Sequence, residues 1–433
     1  MFSSKLSNKK IIQVYFLTTF FSYLIFWLFK YQLGFFDTVW IFFYDTTDHF
    51  ADTLKIIFSF SHIFSQENLI NLNVPEQWIN WNPYEGIVYG NATPAMSLPP
   101  LTIIFLDLSA RLSKIIGFDY RMILIIHILL ILYWLFRVYS KNSNTVLNYA
   151  IVITSYPFIF LIDRGNTMAG ISAICLFIII KNFIYEKNLN SFDLALFIIA
   201  CSIRPNYLIF GLLFLINKTL RTSFLEFLKV GISYIFSNFV FFMLAINLLP
   251  NYSFSNFRLM VSVYFIDHTS FAIWNSSLYG AIFNIYRFMF QYLELFNYPS
   301  IFHILDRVVY SHKLLDLITL FFALLILYSF RKLLINQISR ISFVLLLVSI
   351  TMLDTHPIAD YHLVLCVLVF TLLLDLNNLG DYSKHLILVS LVLIPKVHLN
   401  SPNINFSNFV NSTALILLIL LTLFQREKNK DIN

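Results

Sequence analysis

"SLPPLTIIFLDLSARLSK", residues 97 to 114, decides how the rest of the chain is threaded. It is apolar enough to enter a bilayer, yet it carries Asp107, Arg111 and Lys114. A charge at the centre of a span costs about 2.5–3.5 kcal/mol on insertion scales. A juxtamembrane or re-entrant helix is therefore favoured here over a full crossing. That choice sets the membrane face on which every later loop lies.

The surrounding chain is a membrane sequence. Of its 433 residues 58% are hydrophobic and 12% charged, and the mean hydropathy is +0.75. Soluble globular proteins carry about 25% charged residues, so a soluble fold is excluded. Apolar runs of roughly 18 residues or more recur along the whole length, each enough for about 30 Å of hydrocarbon. The expectation is an all-α, polytopic transmembrane helix bundle of about 12 spans. It forms one membrane domain over 1–433, with extracytoplasmic loops carrying juxtamembrane helices. The first apolar run, 11–29, lacks a small-residue cleavage site and reads as a retained anchor. The net charge of +6 comes from Lys and Arg scattered between apolar runs. That is how topology determinants are placed, and it is no nucleic-acid signal. Cys175, Cys201 and Cys366 lie in apolar segments without CxxC spacing, against structural disulfides and zinc.

Lys5, Lys9 and Lys10 precede the first span and put the N-terminus in the cytoplasm. Residues 30–98 then lie outside, with 45–64 suited to an amphipathic interfacial helix. Later spans follow at 121–139, 143–162, 167–183, 193–203, 206–218, 225–249, 314–330, 341–353, 358–376, 384–397 and 407–424. The pair around Arg204-Pro205 reads as two helices meeting at a break. This parity places Arg137 and Lys141, Lys181 and Lys187, Lys218 and Arg221, Arg331, Lys332 and Arg340, Lys384, and Arg426 to Lys430 in the cytoplasm. Loop 30–98, the turn 163–166, the break 204–206, loop 250–313 and the turn 354–360 then face outward.

The unusual polar groups gather on that outer face. "FFYDTTDHFADTLKIIFSFSH", 42 to 62, places Asp45, Asp48 and Asp52 within eight residues, beside His49. "DRGN", 163 to 166, supplies Asp163, Arg164 and Asn166, and Arg204 precedes Pro205. "WNSSLYG", 274 to 280, holds Asn275, and "DTHPIADYH", 354 to 362, holds His356 and His362. Ionisable groups near hydrocarbon are expensive and point to function by default. Each also has a plainer reading. The carboxylates and Asn275 are suited to cap helices. "DRGN" is suited to a tight turn, with Gly165 at positive φ. Arg204-Pro205 fits a kinked helix with a snorkelling arginine, and either histidine fits a structural role. No Walker A, GxGxxG, GxSxG or HExxH pattern occurs, which speaks against nucleotide-driven chemistry. Carboxylates suit a base acting on a hydroxyl, and arginines suit a phosphate.

The order of these motifs resembles the GT-C superfamily of integral-membrane glycosyltransferases, nearest the polyprenyl-phosphate-mannose-dependent α-mannosyltransferase branch. The resemblance runs through "DTTDHFADTLKI", "NPYEGIVYG", "SLPPLT", "DRGN", "SIRPNYLIF", "WNSSLYG" and "DYHLV". The chain has Leu98-Pro99 where that family usually has Tyr-Pro, and Arg204-Pro205 where Lys-Pro is common. The resemblance implies transfer of a hexose such as mannose from a polyprenyl-phosphate donor to a glycan or glycolipid acceptor. The site opens on the extracytoplasmic side of the plasma (inner) membrane, and no metal or other cofactor is needed. The base falls within Asp45–Asp52, with Asp48 first and Asp45 and Asp52 as alternatives. Arg204 or Arg164 would stabilise the departing phosphate, and Asn166 and Asn275 would hold sugar hydroxyls. Two other functions compete. One is an O-antigen or capsule polymerase on lipid-linked glycans. The other is a lipid or solute transporter, which should show broken helices in matching halves.

Overall fold

The computed structural model describes residues 8–28, 99–117, 120–140, 144–185, 189–215, 220–249, 254, 321, 337–353, 363–376, 382–395 and 406–430. Every element among them is helical. In order they are α1 (Asn8–Trp27), α2 (Pro100–Ile116), α3 (Tyr120–Tyr139), α4 (Thr145–Thr154), α5 (Tyr156–Arg164), α6 (Thr167–Ile184) and α7 (Ser191–Ile203). A 3₁₀ helix (Pro205–Phe214) follows, then α8 (Leu220–Leu248), α9 (Gln337–Leu353), α10 (Val364–Asp375), α11 (Ser383–Leu393) and α12 (Phe406–Lys430).

Three of these are long and apolar enough to cross a membrane: Met122–Tyr139, Thr167–Ile184 and Leu228–Leu248. The bent pair α4 and α5 makes a fourth if counted as one span. About twelve crossings are therefore not reached among the described residues. One reason is local: hydropathy averages over breaks that geometry does not. The expected span 143–162 is bent by 58° between α4 and α5. Pro157 has no N–H and its ring collides with the carbonyl four residues back, so it starts a helix rather than continuing one. Ser155 takes the extended break (φ −71°, ψ 141°), and its Oγ donates to the Val152 carbonyl at 2.7 Å.

A second break reverses the chain. Arg204 is extended (φ −134°, ψ 91°) and Pro205 opens the 3₁₀ helix. Phe197 and Gly211 lie seven residues on either side of Arg204, and a Cβ on Gly211 would sit 3.2 Å from Phe197 Cζ. The Phe197 and Phe214 rings are 5.5 Å apart. A merely kinked helix would hold these residues far apart, so α7 and the 3₁₀ helix form a hairpin with Arg204 at its tip. The 13-residue first arm is about 20 Å long, short of a 30 Å core. The expected spans 193–203 and 206–218 are thus the arms of a re-entrant hairpin, which leaves the downstream parity unchanged.

Helix α6 is the axis of the packing. It is 72% buried and packs against α3, α5, α7, α9 and α10. Gly170 lets it approach its neighbours: a Cβ there would lie 3.0 Å from Ile131 Cδ1 and 3.3 Å from Leu161 Cδ1. Helix α8 is only 11% buried over Leu228–Leu248 and presents Leu228, Ile232, Ile235, Phe239 and Met243 outward, as a lipid-facing helix does.

One pole of the bundle is tied by polar contacts. Asn148 Nδ2 donates to both Asp375 oxygens, at 3.1 and 3.0 Å, joining α4 to α10. The Tyr139 and Thr371 hydroxyls meet at 2.6 Å. Lys181 Nζ donates to the Val138 carbonyl at 2.9 Å, and Arg340 Nη1 to the Phe183 carbonyl at 3.1 Å. Asn182 Nδ2 donates to Asp193, whose other oxygen closes a capping box with Asn190 at the start of α7. Burial and the nearby Asp375 charge push the Tyr185 phenol up from its ordinary range. Lys181 and Arg340 lie at this pole, and the sequence reading assigns both to the cytoplasm. Asn148→Leu keeps the side-chain volume but removes a donor from Asp375 inside the α4–α10 interface. It is expected to destabilise the fold by about 1.5–3 kcal/mol, read as a lowered Tm in detergent.

Candidate functional site

The opposite pole is built from helix ends. α5 stops at Arg164 because Gly165 adopts the left-handed conformation, φ 68°. The Asn166 N–H then closes back on the Leu161 carbonyl at 3.0 Å, and the Gly165 N–H on Ile162 at 3.0 Å. Asn166 begins the next helix: its Oδ1 accepts from the Ala169 N–H at 3.3 Å and caps α6. "DRGN" is therefore the tight turn that its glycine suggested, and it presents Arg164 at the negative end of the α5 dipole. Asp163 is buried and Arg164 half-buried. Asn166→Ala should lower stability by about 1 kcal/mol, checked by thermal unfolding.

Directly behind this turn, Thr167 reaches His127 of α3, Oγ1 to Nδ1 at 3.3 Å. His127 Nε2 lies 3.1 Å from Ser109 Oγ on α2. Ser109 already donates its single hydroxyl proton to the Phe105 carbonyl at 2.8 Å. The imidazole must therefore carry its proton on Nε2 and accept at Nδ1 from Thr167. This arrangement fixes three helices together. It does not activate Ser109 as a nucleophile, because the serine proton points away from the ring.

On α2, Asp107 is fully buried and is held by Arg111 Nε at 2.8 Å. Arg111 Nη2 in turn donates to the Leu248 carbonyl at 2.9 Å, at the C-terminus of α8. Two of the three charges in 97–114 are thus matched, Asp107 against its neighbour a turn away and Arg111 also against a helix end. α2 packs on α3, α7 and α8 as part of the bundle. At 17 residues it is not among the helices long and apolar enough to cross a membrane.

The Arg204 tip reaches the same pole from below. Helix α7 runs back along α6, which it packs against and to which it is tied at its start by Asn182 and Asp193. Asp163, Arg164, Asn166 and Arg204 therefore sit toward one end of the bundle, with the Arg204 end of the 13-residue α7 roughly 7 Å short of the start of the 18-residue α6. Arg204 is half-buried. Asp45, Asp48, Asp52, Asn275, His356 and His362 lie outside the described residues. The sequence reading passed over Ser109 and His127. An imidazole in the middle of the apolar run 121–139 was the available signal. No known protein family, characterised protein or solved structure matches the chain.

Proposed function

We propose that the chain is a multi-pass glycosyltransferase of the plasma membrane. It takes a hexose such as mannose from a polyprenyl-phosphate donor and delivers it to a glycan or glycolipid acceptor on the extracytoplasmic side. The observation that carries the reading is the shared pole of two arginine-bearing reversals, "DRGN" and Arg204-Pro205, whose order along the chain with the acidic loop resembles that of GT-C enzymes. The donor's tail lies in the bilayer and its phosphate at the arginine pole. Asp48 takes the proton of the acceptor hydroxyl as it attacks the anomeric carbon, the bond to phosphate breaks, and the anomeric centre inverts. Arg204 and Arg164 offset the charge gathering on the departing phosphate, and do so more in the transition state than in the ground state. Asn166 keeps its amide N–H₂ for a sugar hydroxyl while its Oδ1 caps α6.

Purified protein in nanodiscs, supplied with radiolabelled polyprenyl-phosphate sugar and a membrane extract, is expected to move label to acceptor. No transfer from any such donor ends the reading. Sidedness is tested separately with Arg164→Cys and Arg204→Cys in intact cells. An impermeant thiol reagent added from outside should label both, and labelling from the cytoplasm only would separate these arginines from an outer site. A second function, transport, gains one observation: the Ser155 break supplies a second interrupted element beside that at Arg204. Substrate flux without bond transfer would select it.

A further inference from the structure

Two side-chain atoms at the hairpin tip lack hydrogen-bond partners among the described residues. Ser202 lies two residues before Arg204 and Asn206 two residues after it. Ser202 is 1% exposed, and neither its Oγ nor Asn206 Oδ1 has a hydrogen bond, although both atoms are sealed from bulk solvent. A buried polar atom left unpaired is costly, so such atoms call for a ligand or an ordered water. Arg204 stands between them in the sequence on extended backbone. A serine or threonine in the last turn of a helix commonly returns its proton to a carbonyl one turn back, as Thr154, Thr351 and Ser390 do here. Ser202 makes no such bond, so its hydroxyl remains available.

From this arrangement we infer that the tip of the re-entrant hairpin is a sugar-phosphate subsite in which Ser202, Arg204 and Asn206 act together. The inference rests on the proposed transferase reading and names the groups that would hold its donor. The chemistry divides between the two sides of Arg204. The Ser202 hydroxyl is a donor two residues before Arg204 at the chain reversal, and a hydroxyl and a guanidinium together suit phosphate oxygens. Asn206 Oδ1 is an acceptor, which a phosphate dianion cannot serve. It suits the hydroxyl of the group esterified to that phosphate. A ligand carrying both an anionic phosphate and a hydroxylated substituent satisfies all three residues; a bare phosphate satisfies two. Ser202 turns about a single torsion and Asn206 about two, so both can reorient toward a head group seated on Arg204.

The test uses the full chain in nanodiscs and titration calorimetry with three probes: farnesol, farnesyl phosphate and mannosyl phosphofarnesol. The wild type is expected to bind both phosphates and not the alcohol. Ser202→Val and Ser202→Thr have nearly the same shape and differ in the hydroxyl. The valine variant should bind both phosphates about tenfold more weakly, while the threonine variant binds as the wild type does. Asn206→Leu should weaken the mannosyl probe alone. Equal binding by the valine and threonine variants would mean that water serves Ser202, and would overturn the subsite. So would an Asn206→Leu variant that loses neither probe or both alike. Label transfer that persists unchanged in Ser202→Val removes the subsite and leaves the transferase standing. Probe binding that follows the expected pattern, with no label transferred, keeps the subsite and removes the transferase.

Discussion

Asp48→Asn is expected to lower sugar transfer by about 10²–10⁴-fold, while the protein still inserts and elutes as the wild type does. The substitution is nearly isosteric and removes one capability: an amide cannot accept a proton from the acceptor hydroxyl. Several titratable groups of the described bundle are already engaged. His127 is locked between Ser109 and Thr167 by a fixed pattern of donors, and Asp107 is held by Arg111. Asp163 is buried beside the arginine that the proposed mechanism assigns to the phosphate. On the proposed reading the base comes from the acidic loop after the first apolar run, as the GT-C resemblance implies. Initial rates with radiolabelled donor, measured on Asp45→Asn, Asp48→Asn and Asp52→Asn side by side, assign the role. Full activity in Asp48→Asn transfers it to whichever neighbour fails, and full activity in all three ends the carboxylate mechanism.

The helical class was legible because apolar length and low charge leave a bilayer protein few alternatives to helices. The reversal at Arg204 was also legible, since Pro205 cannot continue a helix and its neighbour is pushed toward extended backbone. The Gly165 turn was legible for a similar reason. Other features escaped because they depend on which helices touch. The sequence shows Asp107 and Arg111 one turn apart, but not that Arg111 ends at the Leu248 carbonyl of a helix 137 residues away. Nor does any periodicity place Ser109 and Thr167 on either side of His127. The bend at Ser155 was overlooked although Pro157 was visible, because a hydropathy window sees only apolar length and α4 and α5 together have enough of it. The same blindness inflated the number of crossings. The two arms of the hairpin each look like a membrane span to a scale that cannot detect direction.

Gly211→Leu is expected to cost about 1–3 kcal/mol of stability and, on the proposed function, most of the transfer activity. Both effects have one geometric origin. The two arms of the hairpin lie close enough that a Cβ on Gly211 comes within 3.2 Å of the end of the Phe197 ring, with Val230 Cγ1 of α8 at 3.8 Å behind it. Phe197 is completely buried and also packs on Phe214, so its ring has nowhere to retreat. A leucine must therefore push the 3₁₀ arm off α7, and the displacement is carried to the tip, where Arg204, Ser202 and Asn206 are held by the backbone of those two arms. Loss of activity alone would not distinguish a moved tip from a misfolded protein. The paired variant does. Phe197→Leu opens space at the ring position and should cost stability by itself, but combined with Gly211→Leu it should cost less than the sum of the two. Thermal unfolding of the four proteins measures the coupling, and transfer assays on the same four show whether activity returns with the fit. Strictly additive losses would mean that the arms do not touch at these residues, and the hairpin that places Arg204 at the arginine pole would have to be redrawn.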